Sequence, residues 1–496
     1  MGILCRILFT TKHRFVDQLT EEYVLRSIYH VSGYIGLGVM ALRWFLFLWT
    51  NRKVLKEAEI VVTTNAPRAF GTLFVTLDDA RRLFKGRNLV FLYHREQVGQ
   101  NPLLDACFSD VTVRHLLRRK LSFMFMGRVV ELPPNLWYDS MTYALTTWWL
   151  KRFGRQGVES RCTFDIWHDL PMPDDAAALL PKCQEMPIPR KGPFRKYSRD
   201  ITAHRVGQMD ICNELHMYAG WNKLRANVDA PPMQLPDELQ LPVHAALEKA
   251  RGGRKVQLCG LHTRYGGASD KTHRDGSPLE FYIPAIRELI SRGYQVLVQG
   301  DRSFHPRFME TFDGMLVDAA SLEVDESVFQ LFCGTETDIF LGDWPVAPQL
   351  AATNGIPALI VNAWPIGWGL NGTTVYYRGI RGRDGQRWSY ERTLKQGALI
   401  NCNTATHAFP ELYDHDEALI EELNKVEQIP LEEDEILSAV RHFLYDLNSN
   451  APTTPVYNTL VDMLPCWTAF RVARDCRLSP AWIERHVATD LLKDAG

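Results

Sequence analysis

The densest group of chemistry-bearing residues lies in GLHTRYGGASDKTHRDG, residues 260–276. His262, Arg264, Lys271, His273 and Arg274 stand there among Gly266, Gly267 and Gly276. Cationic side chains beside glycines, which let backbone approach closely, suit the oxygens of a diphosphate. The same composition would also serve an ordinary basic surface loop. Three later stretches share the character. Gly300-Asp301-Arg302 is one, and Gly342-Asp343-Trp344 is another, followed at Pro345 by a helical stretch whose N-terminus would favour an anion. Asp343 could accept hydrogen bonds from a sugar or ribose hydroxyl, or cap the helix that follows it. In the third, Asn362, Trp364 and Trp368 would bring an amide and aromatic faces to a base or sugar, or serve packing alone. Neither GxGxxG nor GxxxxGK[ST] occurs at these loops, so no dinucleotide fingerprint or P-loop is indicated.

These groups act together only if the fold collects them. From residue 255 the pattern alternates cleanly. KVQLCGLHT (255–263), YQVLVQGD (294–301), MLVDAA (315–320), TDIFLGD (337–343) and IPALIVNAWP (356–365) read as strands. Helices are predicted between them over 279–293, 305–314, 325–334 and 345–355. Their ends carry ordinary punctuation: a C-cap glycine at 293, Pro306 in a first turn and Asp325 as N-cap. Five strands alternating with helices predict a doubly wound, Rossmann-like lobe. Open α/β sheets bind ligands beyond the carboxyl ends of their strands, which is where the residues above fall.

Upstream, AEIVVTTN (58–65), TLFVTLDDARRLFKG (72–86) and NLVFLYH (88–94) predict a βαβ unit with parallel strands. A strand region over 122–133 and a helix over 141–154 follow. The strand-end rule then places His94 and Glu96 as candidate bases. Asp78 and Asp79 are rivals inside the helix, where they read as solvated charges, and adjacent acids on a helix point apart. Proline clusters over 171–193 and 231–242 put a boundary near 240. The expected division is a hydrophobic N-terminal segment (1–57), an acceptor-side α/β lobe (58–240), a nucleotide-binding lobe (241–410) and a helical tail (411–496). Two α/β lobes on a proline-rich linker would leave a cleft between them for ligand.

Hydrophobic residues at 46% and charged residues at 23% exclude a mainly disordered chain of 496 residues. Lys plus Arg at 56 against Asp plus Glu at 58 argues against a protein that coats nucleic acid. The ten cysteines form no CxxC and none stands at zinc-finger spacing, so they read as buried thiols of a cytoplasmic protein. Residues 31–50 are apolar except for Arg43 and carry Trp44 and Trp49. A buried or oligomer-packing helix, a helix lying on a membrane surface and a true span all remain open. A span would place Arg43 in hydrocarbon at a cost of about 2.5–3.5 kcal/mol.

The stretch LHTRYGG…HRDGSPLEFYIPAIRELISRGYQVLVQGD (261–301), with DIFLGD…LAATNGIPALIVNAWP (338–365), resembles a family of bacterial glycosyltransferases akin to the GT-B, fucosyltransferase-like enzymes. His262-Thr263-Arg264 fits that family's His-x-Arg at a strand end. His273-Arg274-Asp275 fits its His-Arg-Asn triplet with Asp for Asn, and Gly355-Ile356-Pro357 fits a later turn. The resemblance covers about residues 255–365. Trp344-Pro345-Val346 replaces a small-hydroxyl segment of the family, and Phe70-Gly71-Thr72 replaces a Gly-His. The resemblance implies two Rossmann-like lobes and a nucleotide-sugar donor, with an unidentified glycan, lipid or protein as acceptor. Arg264 would grip the donor diphosphate with Arg274 or Lys271 assisting, and His262 would orient the donor or its loop. His94 or Glu96 would serve as base. Cationic side chains can stabilise the leaving diphosphate without a metal or cofactor. Two alternatives stay open: a nucleotide-sugar epimerase, and a non-catalytic sugar-nucleotide scaffold, which Trp344-Pro345 would suit. The expected location is the cytoplasm, or the inner face of the cell membrane as a peripheral protein.

Overall fold

The computed structural model describes residues 38–63, 70–95, 103–117, 122–125, 128–131, 137–171, 220–264, 276–300, 303–343, 347–363, 369–382, 385–388, 427–449 and 476–486. The chain forms two compact units. The smaller comprises residues 1–68, 87–100 and 113–163, and the larger takes the remainder, including 69–86.

The smaller unit begins with helix α1 (38–50) and a second short helix, α2 (Arg52–Glu57). Strand β1 (Ile60–Thr63) follows, and helix α3 (Phe70–Leu83), which groups with the larger unit, leads to strand β2 (Leu89–Arg95). After β3 (Thr112–Leu117) an antiparallel hairpin pairs β4 (Ser122–Phe125) with β5 (Arg128–Glu131). Helix α4 (Trp137–Phe153) and strand β6 (Glu159–Cys162) complete the unit. Its sheet has the order β3-β2-β1-β6, and β1 pairs in parallel with both β2 and β6. The βαβ pattern of the sequence is therefore present. Of residues 122–133, expected as one strand region, 122–125 and 128–131 are two strands paired antiparallel.

Helix α1 buries Met40, Trp44, Phe47 and Leu48, spaced four, three and one residues apart along one face. Trp44 and Leu48 join Leu55, Val61, Val90, Leu92 and Trp149 in the core of this unit. The Trp44 indole N–H donates to Thr146 Oγ1 at 3.0 Å, so the one polar atom of a buried tryptophan is satisfied. Among the described residues no helix is long and apolar enough to cross a membrane.

The larger unit is built on seven parallel strands. Helix α5 (Thr163–His168) and helix α6 (220–227) precede α7 (Asp237–Ala250), which runs through Pro242 where the sequence suggested a linker. Then come β7 (Gln257–Thr263), α8 (Ile283–Ser291), β8 (Tyr294–Gly300), α9 (Pro306–Glu310) and β9 (Leu316–Val317). Helix α10 (Glu326–Thr335), β10 (Ile339–Asp343), α11 (Ala347–Thr353) and β11 (Ala358–Ala363) continue the alternation. Beyond it lie β12 (Thr373–Tyr377), β13 (Gly379–Arg381), β14 (Glu427–Ile429), α12 (Glu433–Ser449), β15 (Arg477–Leu478) and α13 (Pro480–His486).

The sheet order is β15-β12-β11-β10-β7-β8-β9 and every pairing is parallel. Counted from β7, this is the doubly wound order 3-2-1-4-5-6 with one further strand. Strands β10 and β11 are buried at every residue, as expected when helices cover both faces of a parallel sheet. The predicted caps are in place. Asp325 accepts from the Val328 N–H at 3.0 Å, and Gly293 ends α8 with φ 90°. Helix α11 begins at Ala347, two residues after the expected start at Pro345. The tail is not purely helical, since β15 adds to the sheet edge beside β12. Cys107, Cys162, Cys259, Cys333 and Cys476 are buried, as small apolar side chains would be.

Candidate functional site

The strand order reverses between β7 and β10, and that switch point is where doubly wound sheets open a ligand crevice. The chain leaves β7 at His262, Thr263 and Arg264, and leaves β10 at Asp343. Asp343 ties the two ends together. Its carboxylate accepts from the Arg264 backbone N–H at 2.9 Å, from the Tyr282 hydroxyl at 2.6 Å and from Asn362 Nδ2 at 2.6 Å. The carboxylate is fully buried, and burial pushes its pKa up to about 6, against the opposing pull of these three donors. Burial and the Asp343 charge push the Tyr282 hydroxyl well above its ordinary value.

Asn362 supplies the second tier. It sits at the carboxyl end of β11 with φ 54°, where the register of β11 against β12 shifts. A left-handed backbone favours Asn over most side chains. Its Oδ1 accepts from the Leu431 N–H at 2.8 Å, its Nδ2 lies 3.1 Å from Ser277 Oγ, and its carbonyl accepts from Arg378 Nε at 2.9 Å. The Gly276 N–H donates to the Arg264 carbonyl at 2.7 Å. Arg264 and Gly276 are thus pinned to each other. Gly276 has no room for a side chain, because a Cβ there would stand 2.0 Å from Asp343 Oδ2. Gly300, at the end of β8 with φ 124°, would likewise meet the Thr263 carbonyl oxygen at 2.1 Å.

Of the residues singled out in sequence, His262, Arg264, Asp343 and Asn362 are gathered at this edge of the larger unit. Both oxygens of Asp343 are taken by protein donors. Arg264 is half-buried, and among the described residues no carboxylate pairs with its guanidinium. Lys271, His273, Arg274, Asp301 and Trp344 lie outside the described residues, as does Glu96. His94 is the penultimate residue of β2 in the smaller unit, 3% exposed, with its ring 4.4 Å from that of Trp44. Tyr282, Ser277 and Arg378 were missed by the sequence reading. Tyr282 was visible in the motif FYIPAI, but its contact with Asp343 spans 61 residues and leaves no local trace. Among the described residues no His, Cys, Asp and Glu cluster could hold a metal ion.

The rival acids Asp78 and Asp79 are not solvated. Both are fully buried in α3 and face the guanidinium of Arg225, at 2.5 and 2.9 Å. Arg81 and Arg82 close on Asp78 from the next turn, so one carboxylate collects three cations. The arginines hold Asp78 below its ordinary range despite its burial. Among the described residues Arg225 is the ion-pair partner of Asp79, and burial with the Asp78 charge pushes its pKa up to about 7. A proton kept in the folded state and lost in the unfolded one makes stability fall as pH rises. The fall runs from the ordinary 3.8 to about 7 and is complete above that. We expect Asp79→Asn to flatten the pH dependence of the melting temperature across this window. An unchanged slope would show that Asp79 is ionised throughout.

No family model matches the chain, and no curated protein matches it in sequence. Its solved-structure likenesses include a family 9 glycosyl transferase from Veillonella parvula, at 11% identity over 79% of this chain and 99% of that one, with a TM-score of 0.36. The wall teichoic acid polymerase TagF shows 9% identity over 89% and 100% of the two chains, with a TM-score of 0.28. UDP-GlcNAc 2-epimerase from Neisseria meningitidis shows 10% identity over 78% and 98%, with a TM-score of 0.26. Scores this low carry no argument, and the architecture rests on the strand order itself. Fold and site define an α/β protein of two parallel sheets, with a ligand edge at the switch point of the larger.

Proposed function

We propose that the chain is a glycosyltransferase that takes its sugar from a nucleotide-sugar donor bound at the carboxyl edge of the seven-stranded sheet. The observation that carries this reading is Arg264, half-buried at the switch point, with its backbone N–H held by the buried Asp343. The family resemblance of residues 261–301 and 338–365 supports it independently. In this reading the planar guanidinium makes a two-pronged contact with the donor diphosphate, which a lysine cannot reproduce. Lys271, His273, Arg274, Asp301 and Trp344 are the further donor contacts of this reading, and His262 orients the donor. As the glycosidic bond breaks, negative charge grows on the diphosphate, and fixed cations stabilise it without reorganising. His94 and Glu96 are the candidate bases for the proton of the acceptor hydroxyl.

The test is nucleotide-sugar binding. A thermal-shift screen with GDP-, UDP-, CMP- and dTDP-sugars identifies the donor, since a ligand that binds only the folded state raises its stability. Calorimetry with that donor should then show Arg264→Ala, and also Arg264→Lys, weakening affinity about 10- to 150-fold, the loss of one charge-assisted bond. The melting temperature of the unliganded protein should stay unchanged. Wild-type affinity in folded Arg264→Ala would remove the diphosphate from this edge. Epimerisation of the donor in the absence of any acceptor would assign the epimerase instead.

A further inference from the structure

Helix α1 has a second face, opposite the one that packs into the core. Leu42, Leu46 and Trp49 lie on it at spacings of four and three residues, exposed by 60%, 53% and 43%. Trp148 of α4, 51% exposed, extends the patch across the helix pair. The four do not stand singly. Phe45 bridges the two tryptophans, stacked 6.4 Å from Trp49 and tilted 6.3 Å from Trp148, and Phe153 packs edge-on against both at 5.7 and 5.9 Å. Monomeric proteins seldom leave contiguous aromatic and aliphatic surface of this kind to water.

The rim is of one sign. Residues 38–56 and 141–155 contain no Asp or Glu, and acids resume only at Glu57 and Asp139. Arg52, Lys53, Lys56, Lys151, Arg152 and Arg155, which follow the patch residues closely in sequence, are exposed. The Arg52 guanidinium lies 5.7 Å from the Trp49 ring, and that of Arg152 lies 5.7 Å from the Phe153 ring. Guanidiniums seated over aromatic rings beside exposed apolar side chains suit a surface that is apolar within and anionic at its face. A two-fold contact with a second copy would set this basic rim against itself, which like-charge repulsion opposes.

We propose that the face of α1 and α4 is a docking surface for an anionic lipid bilayer, with the aromatic patch entering the headgroup region and the basic rim on the lipid phosphates. An amphipathic helix in the interface plane works in this way and needs no span. The inference does not depend on the donor reading, since it uses residues of the smaller unit alone. Each lysine or arginine near an anionic surface contributes about fivefold in partitioning.

The test is cosedimentation of the full chain with vesicles. Binding is expected to phosphatidylglycerol-containing vesicles, to fall as salt rises, and to be absent with phosphatidylcholine alone. Arg52→Glu, Lys53→Glu and Lys56→Glu combined should weaken it at least a hundredfold, the sum of three lost attractions. Leu42→Asn with Leu46→Asn should abolish it without moving the melting curve, because both side chains are solvent-exposed. A measurement on the unaltered chain guards against variants that fail to fold: brominated lipids should quench its tryptophan fluorescence. A folded chain that stays in the supernatant unquenched would overturn the proposal, as would binding that neither set of variants weakens. A solution dimer that Leu42→Asn with Leu46→Asn dissociates would overturn it too, by giving the face to a second copy.

Discussion

Replacing Arg225 with alanine is expected to destabilise the larger unit by about 3–5 kcal/mol, the usual cost of leaving a buried charge without its partner. Its side chain is 6% exposed, its two terminal nitrogens reach Asp78 and Asp79, and its guanidinium lies 4.3 Å from the Trp221 ring. Asp78 would survive the change, because Arg81 at 2.7 Å and Arg82 at 3.0 Å still face it. Asp79 would not, since Arg225 is its ion-pair partner among the described residues. It would keep its proton or drag water into α3. Arg225→Lys should be intermediate, because one ammonium cannot bridge both carboxylates and lie against the indole. Removing the pair together, as Arg225→Met with Asp79→Asn, should recover much of the loss, because Asp78 keeps Arg81 and Arg82. Hydrogen exchange of the α3 amides under increasing urea measures the effect locally, which suits a chain of two units that need not unfold together. A loss below about 1 kcal/mol would mean that the cluster is wetter than its burial implies.

Asp343→Ala should be nearly as costly and should also abolish donor binding. Three donors would lose their acceptor at once: the Arg264 N–H, the Tyr282 hydroxyl and Asn362 Nδ2. Each orphaned buried donor costs about 1–3 kcal/mol, so a total of about 3 kcal/mol or more is expected. Asp343→Asn keeps one oxygen but turns an NH2 toward a neighbouring donor, and should lose about half as much. Gly276→Ala should resemble Asp343→Ala, because its Cβ would stand 2.0 Å from Asp343 Oδ2 and 2.6 Å from the Arg264 carbonyl oxygen. The contrast with Arg264→Ala is diagnostic. A positioning residue moves stability and affinity together, whereas a ligand contact moves affinity alone. Melting curves and calorimetry on all four variants make the comparison. An Asp343→Ala protein as stable as wild type would show that the edge is not held by this network.

Much of this architecture was legible before any coordinates. Strands β7 to β11, the helices between them and the caps at Gly293 and Asp325 follow from periodicity and punctuation, which act within a few residues of chain. The strand-end rule carried His262, Arg264, Asp343 and Asn362 to one edge, because alternation of strand and helix in a parallel sheet sends every β-to-α turn to the same side. What lay beyond reach depended on contacts distant in sequence. Asp78 and Asp79 look like solvated charges on an amphipathic helix, and only the arrival of Arg225, 146 residues later, lets α3 bury them. Strand β15 is two residues long, too short to carry any period, and exists because β12 offers it an edge. The apolar run at residues 31–50 left three environments open, since hydropathy records that a side chain avoids water and not what shields it. Packing divided the described part of that run, putting Trp44 and Leu48 in the core and Leu42, Leu46 and Trp49 on the surface. Local sequence determines which elements form and where they end; which charges are paired, which strand finds an edge and which apolar face is left uncovered are properties of the assembled chain, because each is decided by a partner the local sequence does not contain.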